Sequence, residues 1–287
     1  MNTFLFLKKA TAACALATGA VALTACGAPD APRAATLPAP SASTPSRPPT
    51  LAPGPGGLTP VFLKAAKARD RHGKHDKTVA LTFDADMTAD QGPRAAAGER
   101  FDNPRLIGTL RRLKVSATVF MTGRWAEEYP RQARAIGRDP LFEVANHSYS
   151  HHAFTEDCYG LPTVPASGMR ADVERAFAAF RTAGIEHAMP YFRFPGGCYD
   201  KAALKALSGT GVTAVQWDVV SGDAFATDAG AVARQVLDGV RPGSVVVMHC
   251  TRSAAPATEE ALRTIVPELR ERGYRFVKVS ELIRPGA

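Results

Sequence analysis

The stretch Thr78-Val79-Ala80-Leu81-Thr82-Phe83-Asp84-Ala85-Asp86-Met87 is a short apolar run that closes on two carboxyls. Its composition predicts a strand over Thr78–Asp84. While the strand persists, a period of two puts Asp84 and Asp86 on one face. Two carboxylates this close repel each other and raise one pKa unless a cation stands near, so a metal or an arginine is expected beside them. Working outward, further strands are predicted at Ala117–Thr122, Phe142–Ala145, Tyr191–Phe194, Val212–Val219, Ser244–Met248 and Tyr274–Val279. Between them, helices are predicted over Pro104–Leu113, Ala126–Ile136, Met169–Ala183, Lys201–Leu207, Ala229–Val240 and Glu259–Arg272. Apolar residues recur there three or four apart, as in Leu262, Ile265 and Leu269. Regular alternation of the two argues a single α/β catalytic domain whose parallel sheet is open or closed into a barrel. Sites in such folds form where loops leave the C-terminal ends of strands. Asp84, Asp86, His147, His151, Arg193, Asp223 and His249 all fall at such places.

Upstream of this region the chain changes character. Residues 1–25 carry Lys8 and Lys9, no acidic residue, and an apolar run too short to span a bilayer, which reads as a signal peptide. The run ends in Leu23-Thr24-Ala25-Cys26-Gly27, which resembles the lipobox of bacterial lipoproteins. That resemblance implies a lipidated Cys26 as mature N-terminus, anchored to the cell membrane on its extracytoplasmic side. Residues 26–60 hold ten of the chain's 22 prolines and are expected to form a disordered tether. Residues 61–76 read as a linker, and 77–287 as the folded domain. Cys158, Cys198 and Cys250 then remain in an oxidising compartment. Cys158 and Cys198 are the expected pair, because both lie on loops beside the motifs. The formal charge of +8 suits an anionic envelope polymer or plain solubility. Neither a zinc-finger spacing nor a Lys/Arg block is present, so no nucleic-acid partner is expected.

The chemistry-bearing residues fall into a few motifs. Asn146-His147-Ser148-Tyr149-Ser150-His151 supplies imidazoles at i and i+4, which one helical turn would place on one side. With a carboxylate from another strand end they make three ligands and leave a position for water, the pattern of a catalytic zinc. Phe192-Arg193-Phe194-Pro195-Gly196-Gly197 sets an arginine before a turn whose glycines let backbone N–H groups face a ligand. His249, closing Val245-Val246-Val247-Met248-His249, is placed to be oriented by a carboxylate, either Asp218 or Asp223.

In their order, Thr82-Phe83-Asp84, the Asn146–His151 stretch, Arg193-x-Pro195-x-Gly197, Ser221-x-Asp223 and Met248-His249 resemble the polysaccharide deacetylases of carbohydrate esterase family four, the NodB homology domain. The resemblance covers about 78–283. It implies a distorted (β/α) barrel and removal of acetyl groups from an N-acetylated glycan such as peptidoglycan or a chito-oligosaccharide. It also implies Asp84 as general base, tethered by Arg193, and His249 as general acid, supported by Asp223. Gly196 would offer its N–H to the oxyanion, and His147 and His151 would bind a divalent metal, most naturally Zn2+. The family's first motif usually has adjacent aspartates, the second of which binds metal. Ala85 stands at that position here, so Asp86 is expected to take over. An O-acetyl esterase sharing this machinery is one alternative. A catalytically inactive glycan-binding lipoprotein, motivated by Ala85, is another. A monomer is expected.

Overall fold

The computed structural model describes residues 47–66 and 76–283. The segment read as a signal peptide, Cys26 and most of the Pro-rich stretch lie outside the described residues. The strands are β1 (Val61–Phe62), β2 (Thr78–Ala85), β3 (Ala117–Met121), β4 (Phe142–Asn146), β5 (Tyr191–Phe192), β6 (Thr213–Val215), β7 (Val219–Val220), β8 (Ser244–His249) and β9 (Arg275–Phe276). The helices are α1 (Gly92–Ala96), α2 (Pro104–Arg112), α3 (Gly123–Glu128), α4 (Pro130–Gly137), α5 (Met169–Ala183), α6 (Lys201–Ala206), α7 (Ala229–Gly239), α8 (Thr258–Glu271) and α9 (Val279–Ile283). Every strand pair is parallel, in the order β1-β6-β5-β4-β3-β2-β8-β7, with β9 against the start of β2.

That order forces curvature. β6 lies next to one end of the sheet and β7 forms the other, yet β7 begins four residues after β6 ends. Four extended residues reach about 14 Å at most. The sheet therefore curls until its two ends nearly meet, giving the expected distorted barrel. The predicted single strand Val212–Val219 is for this reason two strands, separated where Gln216, Trp217 and Asp218 cross the seam.

Side-chain parity sorts β2 into two layers. Val79, Leu81, Phe83 and Ala85 belong to the outer core with Leu106 of α2, Trp125 of α3 and Leu262 of α8. Ala80 belongs to the inner cluster with Phe120, Ala145, Tyr191, Val215 and Val245, joined by Val279 and Ile283 of α9. Asp84, two residues along from Thr82 on the same side, consequently points into the barrel mouth.

Three further expectations need correction. The predicted helix over Ala126–Ile136 is split into α3 and α4, because Pro130 lacks the N–H an uninterrupted helix needs and sits instead at the start of α4. The predicted strand over Tyr274–Val279 shortens to β9, and Val279 begins α9. Residues assigned to tether and linker are also part of the barrel wall. Val61 and Phe62 pair with Ala214 and Val215, the Tyr191 hydroxyl donates to Pro49 O at 2.8 Å, and Leu51 N donates to Thr213 Oγ1 at 3.0 Å. A two-residue strand is too short to show a period in sequence.

Candidate active site

The site begins with register. Asp84 is opposite His249 across β2 and β8, and opposite Phe120 across β2 and β3. Partners in a parallel sheet face the same side, so the mouth of the barrel receives all three.

Asp84 is buried and held by Arg193, whose Nη1 donates to Asp84 Oδ1 at 2.7 Å. The guanidinium is itself fully buried. Its Nε donates to Val215 O at 3.2 Å, and its Cζ lies 3.9 Å from the Phe120 ring centre and 5.3 Å from that of Trp217. Burial alone would raise the Asp84 pKa. The neighbouring charge of Arg193, aided by protonated His249 and the Arg193 hydrogen bond, outweighs it and leaves the carboxyl below its ordinary 3.8. Asp84 is thus ionised at neutral pH.

His249 answers it from β8. Its Nδ1 lies 2.8 Å from Asp223 Oδ1, and its backbone N donates to Asp223 Oδ2 at 2.7 Å. Asp223 also receives the Ser221 hydroxyl at 2.8 Å and the Thr258 hydroxyl at 2.7 Å. Asp218 is excluded as the partner, since it caps the opposite end of β8 through Ser244 Oγ and Val245 N. Burial would lower the imidazole's pKa, but the Asp223 hydrogen bond and charge raise it to about 10. His249 therefore carries a proton through the neutral range. Asp223→Asn is expected to pull the alkaline limb of kcat/KM down from near pH 10 toward the ordinary histidine value near 6.5. A pH–rate profile checks this; an unmoved limb would show that His249 is not the titrating acid. The pair also stabilises the fold fully below about pH 6.5, and this contribution is lost as pH rises through about 10.

His147 and His151 converge, though not on a helical turn as expected. They lie on a loop where Ser148 and His151 have φ of 69° and 56°, tied by Ser148 N to Asn146 Oδ1 at 2.8 Å and His151 N to Ser148 Oγ at 2.9 Å. The ring centres are 5.0 Å apart. His147 Nδ1 faces Arg193 O at 3.0 Å and so must donate its hydrogen there. Its Nε2 then presents a bare lone pair to Asp84 Oδ2 at 3.6 Å, while His151 Nε2 faces Asp86 Oδ2 at 3.9 Å. Burial lowers both imidazole pKa values, that of His151 to about 4, so both rings are neutral. An acceptor facing an acceptor, as His147 Nε2 faces Asp84, is what a cation relieves, and two neutral imidazoles with a carboxyl are an ordinary donor set for zinc. Among the described residues, no three His, Cys, Asp or Glu side chains are drawn closely enough to cage an ion as they stand. The donor chemistry fits nonetheless, pair by pair.

Asp86 is oriented by Thr251, whose hydroxyl donates to the Asp86 carboxyl and accepts from Asp86 N at 3.2 Å. Neither Thr251 nor Thr258 carried a sequence signal, because threonine is common on loops and at helix starts. Gly196 has φ +65°, and a Cβ there would lie 2.6 Å from Cys158 Sγ. The expected Cys158–Cys198 disulfide is present, and Cys250 is buried and free.

Residues 71–215 match the family described as Polysaccharide deacetylase. The chain belongs to the polysaccharide deacetylase family. Among its relatives, the deacetylase is 30% identical over 218 residues to the chitooligosaccharide deacetylase of Sinorhizobium fredii, covering 71% of this chain and 91% of that one. It is 27% identical over 213 residues to a peptidoglycan-N-acetylglucosamine deacetylase of Bacillus cereus, covering 73% and 90%. Among solved structures it is similar to the family 4 acetyl xylan esterase from Clostridium thermocellum in complex with a cobalt ion, at 25% identity and TM-score 0.57, covering 72% and 90%. It is an enzyme that deacetylates glycans.

Proposed function

We propose that this deacetylase removes N-acetyl groups from a cell-envelope glycan, of the peptidoglycan or chito-oligosaccharide type, with the aid of a divalent metal, Zn2+ being the best fit. The observation that carries the reading is the register pairing of Asp84 with His249, which sets an ionised carboxylate beside a protonated imidazole. Asp86, His147 and His151 are the residues that would hold the metal, which would supply Lewis-acid polarisation of the acetyl carbonyl and acidify water. Asp84, aimed by Arg193, removes the proton from the attacking water. The Gly196 N–H donates to the oxyanion that develops on the acetyl carbonyl, a contact of the kind worth about 3 kcal/mol. His249, kept charged by Asp223, delivers its proton to the departing nitrogen, leaving acetate and a free amine.

The inactive-binder reading loses its motive at Ala85. That position faces the apolar outer layer, whereas Asp86 stands on the side of the histidines. The O-acetyl reading has the acetyl xylan esterase behind it and differs only in leaving group. Export and a lipid on Cys26 complete the proposal, supported by the lipobox-like order of residues 23–27. The test is acetate release, followed with mass spectrometry, from N-acetylated chito-oligosaccharides, peptidoglycan fragments and acetylated xylan, before and after chelation. Release from the first two alone, abolished by chelator and restored by Zn2+, is the expected result. Activity confined to xylan, or indifferent to chelation, would sink it.

A further inference from the structure

We propose that Tyr159 is a sugar-ring platform at the mouth of the site, fixed there by the Cys158–Cys198 disulfide. Its ligand would be a pyranose ring of the glycan chain next to the residue undergoing deacetylation. The proposal rests on the glycan reading above.

The loop that carries Tyr159 leaves β4 and closes on itself, with Ala153 N donating to Pro162 O at 2.8 Å and Val164 N to Ala153 O at 2.9 Å. Its tip is a reverse turn, Cys158-Tyr159-Gly160-Leu161, in which Leu161 N donates to Cys158 O at 2.9 Å. Tyr159 and Gly160 have φ of 52° and 72°. Two positive φ values in succession suit Asn-Gly or Gly-Gly, because a side chain with a Cβ is crowded there. A tyrosine is a costly choice at the first of them, and it gains nothing from burial, being 88% exposed. Local strain that packing does not repay points to function.

The position of the ring supplies the function. A Cβ built on Gly196 would lie 3.4 Å from Tyr159 Cδ2, so the ring edge stands beside the glycine that faces the reacting carbonyl. The disulfide joins the same turn tip to Cys198, two residues beyond Gly196. Tyr159 is therefore fixed relative to the catalytic turn while its face stays open to solvent. A pyranose ring offers an apolar C–H face of similar size to an aromatic ring, and aromatic side chains give large contact area with few rotors to fix.

Tyr159→Ala is expected to raise KM for N-acetylchitohexaose about tenfold while kcat stays within about twofold, and Tyr159→Trp to hold KM near the wild-type value. Tyr159→Gly separates binding from structure. It should show the same KM loss, yet melt at or above the wild-type temperature because the left-handed strain is gone. Unchanged KM in the Ala and Gly variants, or a lowered melting temperature in the Gly variant, overturns the platform. Absence of acetate release from the hexamer by wild type would defeat the N-deacetylase reading for that polymer instead. Isothermal titration with the hexamer then decides the platform alone. Binding about tenfold weaker in Tyr159→Ala supports it, and equal binding, or none by either protein, overturns it.

Discussion

His147→Ala is expected to leave the purified enzyme without bound metal and to lower kcat/KM by at least about 10^3, beyond what loss of a single oxyanion donor costs. Three roles meet in that imidazole. Its Nδ1 hydrogen is taken up by Arg193 O, its Nε2 faces Asp84, and its ring packs against His151 at 5.0 Å between centres. Because it is neutral, its removal strands no charge, but it orphans Arg193 O and leaves a buried cavity, so the fold should survive with a melting temperature lower by a few degrees. Elemental analysis of the purified protein, circular dichroism and acetate release together check this. Full metal content and activity in a folded variant would refute the ligand assignment.

Arg193→Ala is expected to have the largest effect on stability, a loss of about 3–5 kcal/mol, because it leaves Asp84 buried and uncompensated. It also removes the donor to Val215 O, at the seam where the sheet curls closed, and the stacking on Phe120 of β3. For a fold of this size the melting temperature should fall by roughly 10 °C. The Arg193→Met, Asp84→Asn pair should recover part of that loss, since no buried charge is then left alone. A melting temperature for Arg193→Ala within about 2 °C of wild type would show that the pair does not hold the mouth together.

The parts of this fold that were legible in sequence are those governed by local periodicity. The helix over Met169–Ala183 has the boundaries that its recurring apolar residues predict, and the strand predicted over Thr78–Asp84 runs only one residue further, to Ala85. The candidate site was legible because its residue types sit at strand ends, where a parallel sheet gathers them. What escaped detection depends on distant partners. β1 exists because β6 offers it a free edge, and the break between β6 and β7 exists because the sheet closes there. The histidine loop looked like one helical turn because i and i+4 spacing satisfies both geometries. Only the left-handed Ser148 and His151, fastened by Asn146 and Ser148 side chains, show which one the chain adopts. Asp218 and Asp223 could not be ranked by spacing, yet they prove to serve opposite ends of β8.

The entry of the chain into the barrel sets an orientation. Arg47, Pro48 and Pro49 line a hollow with Phe142, Met189 and Lys278, at the ends of the strands remote from Asp84 and His249. Arg47 therefore lies at the floor of the barrel, and Asp84 and His249 at its roof. A pull applied to the chain at Arg47 would reach the enzyme on the side away from its catalytic residues. The hydrogen bonds of Pro49, Leu51 and β1 would carry the pull.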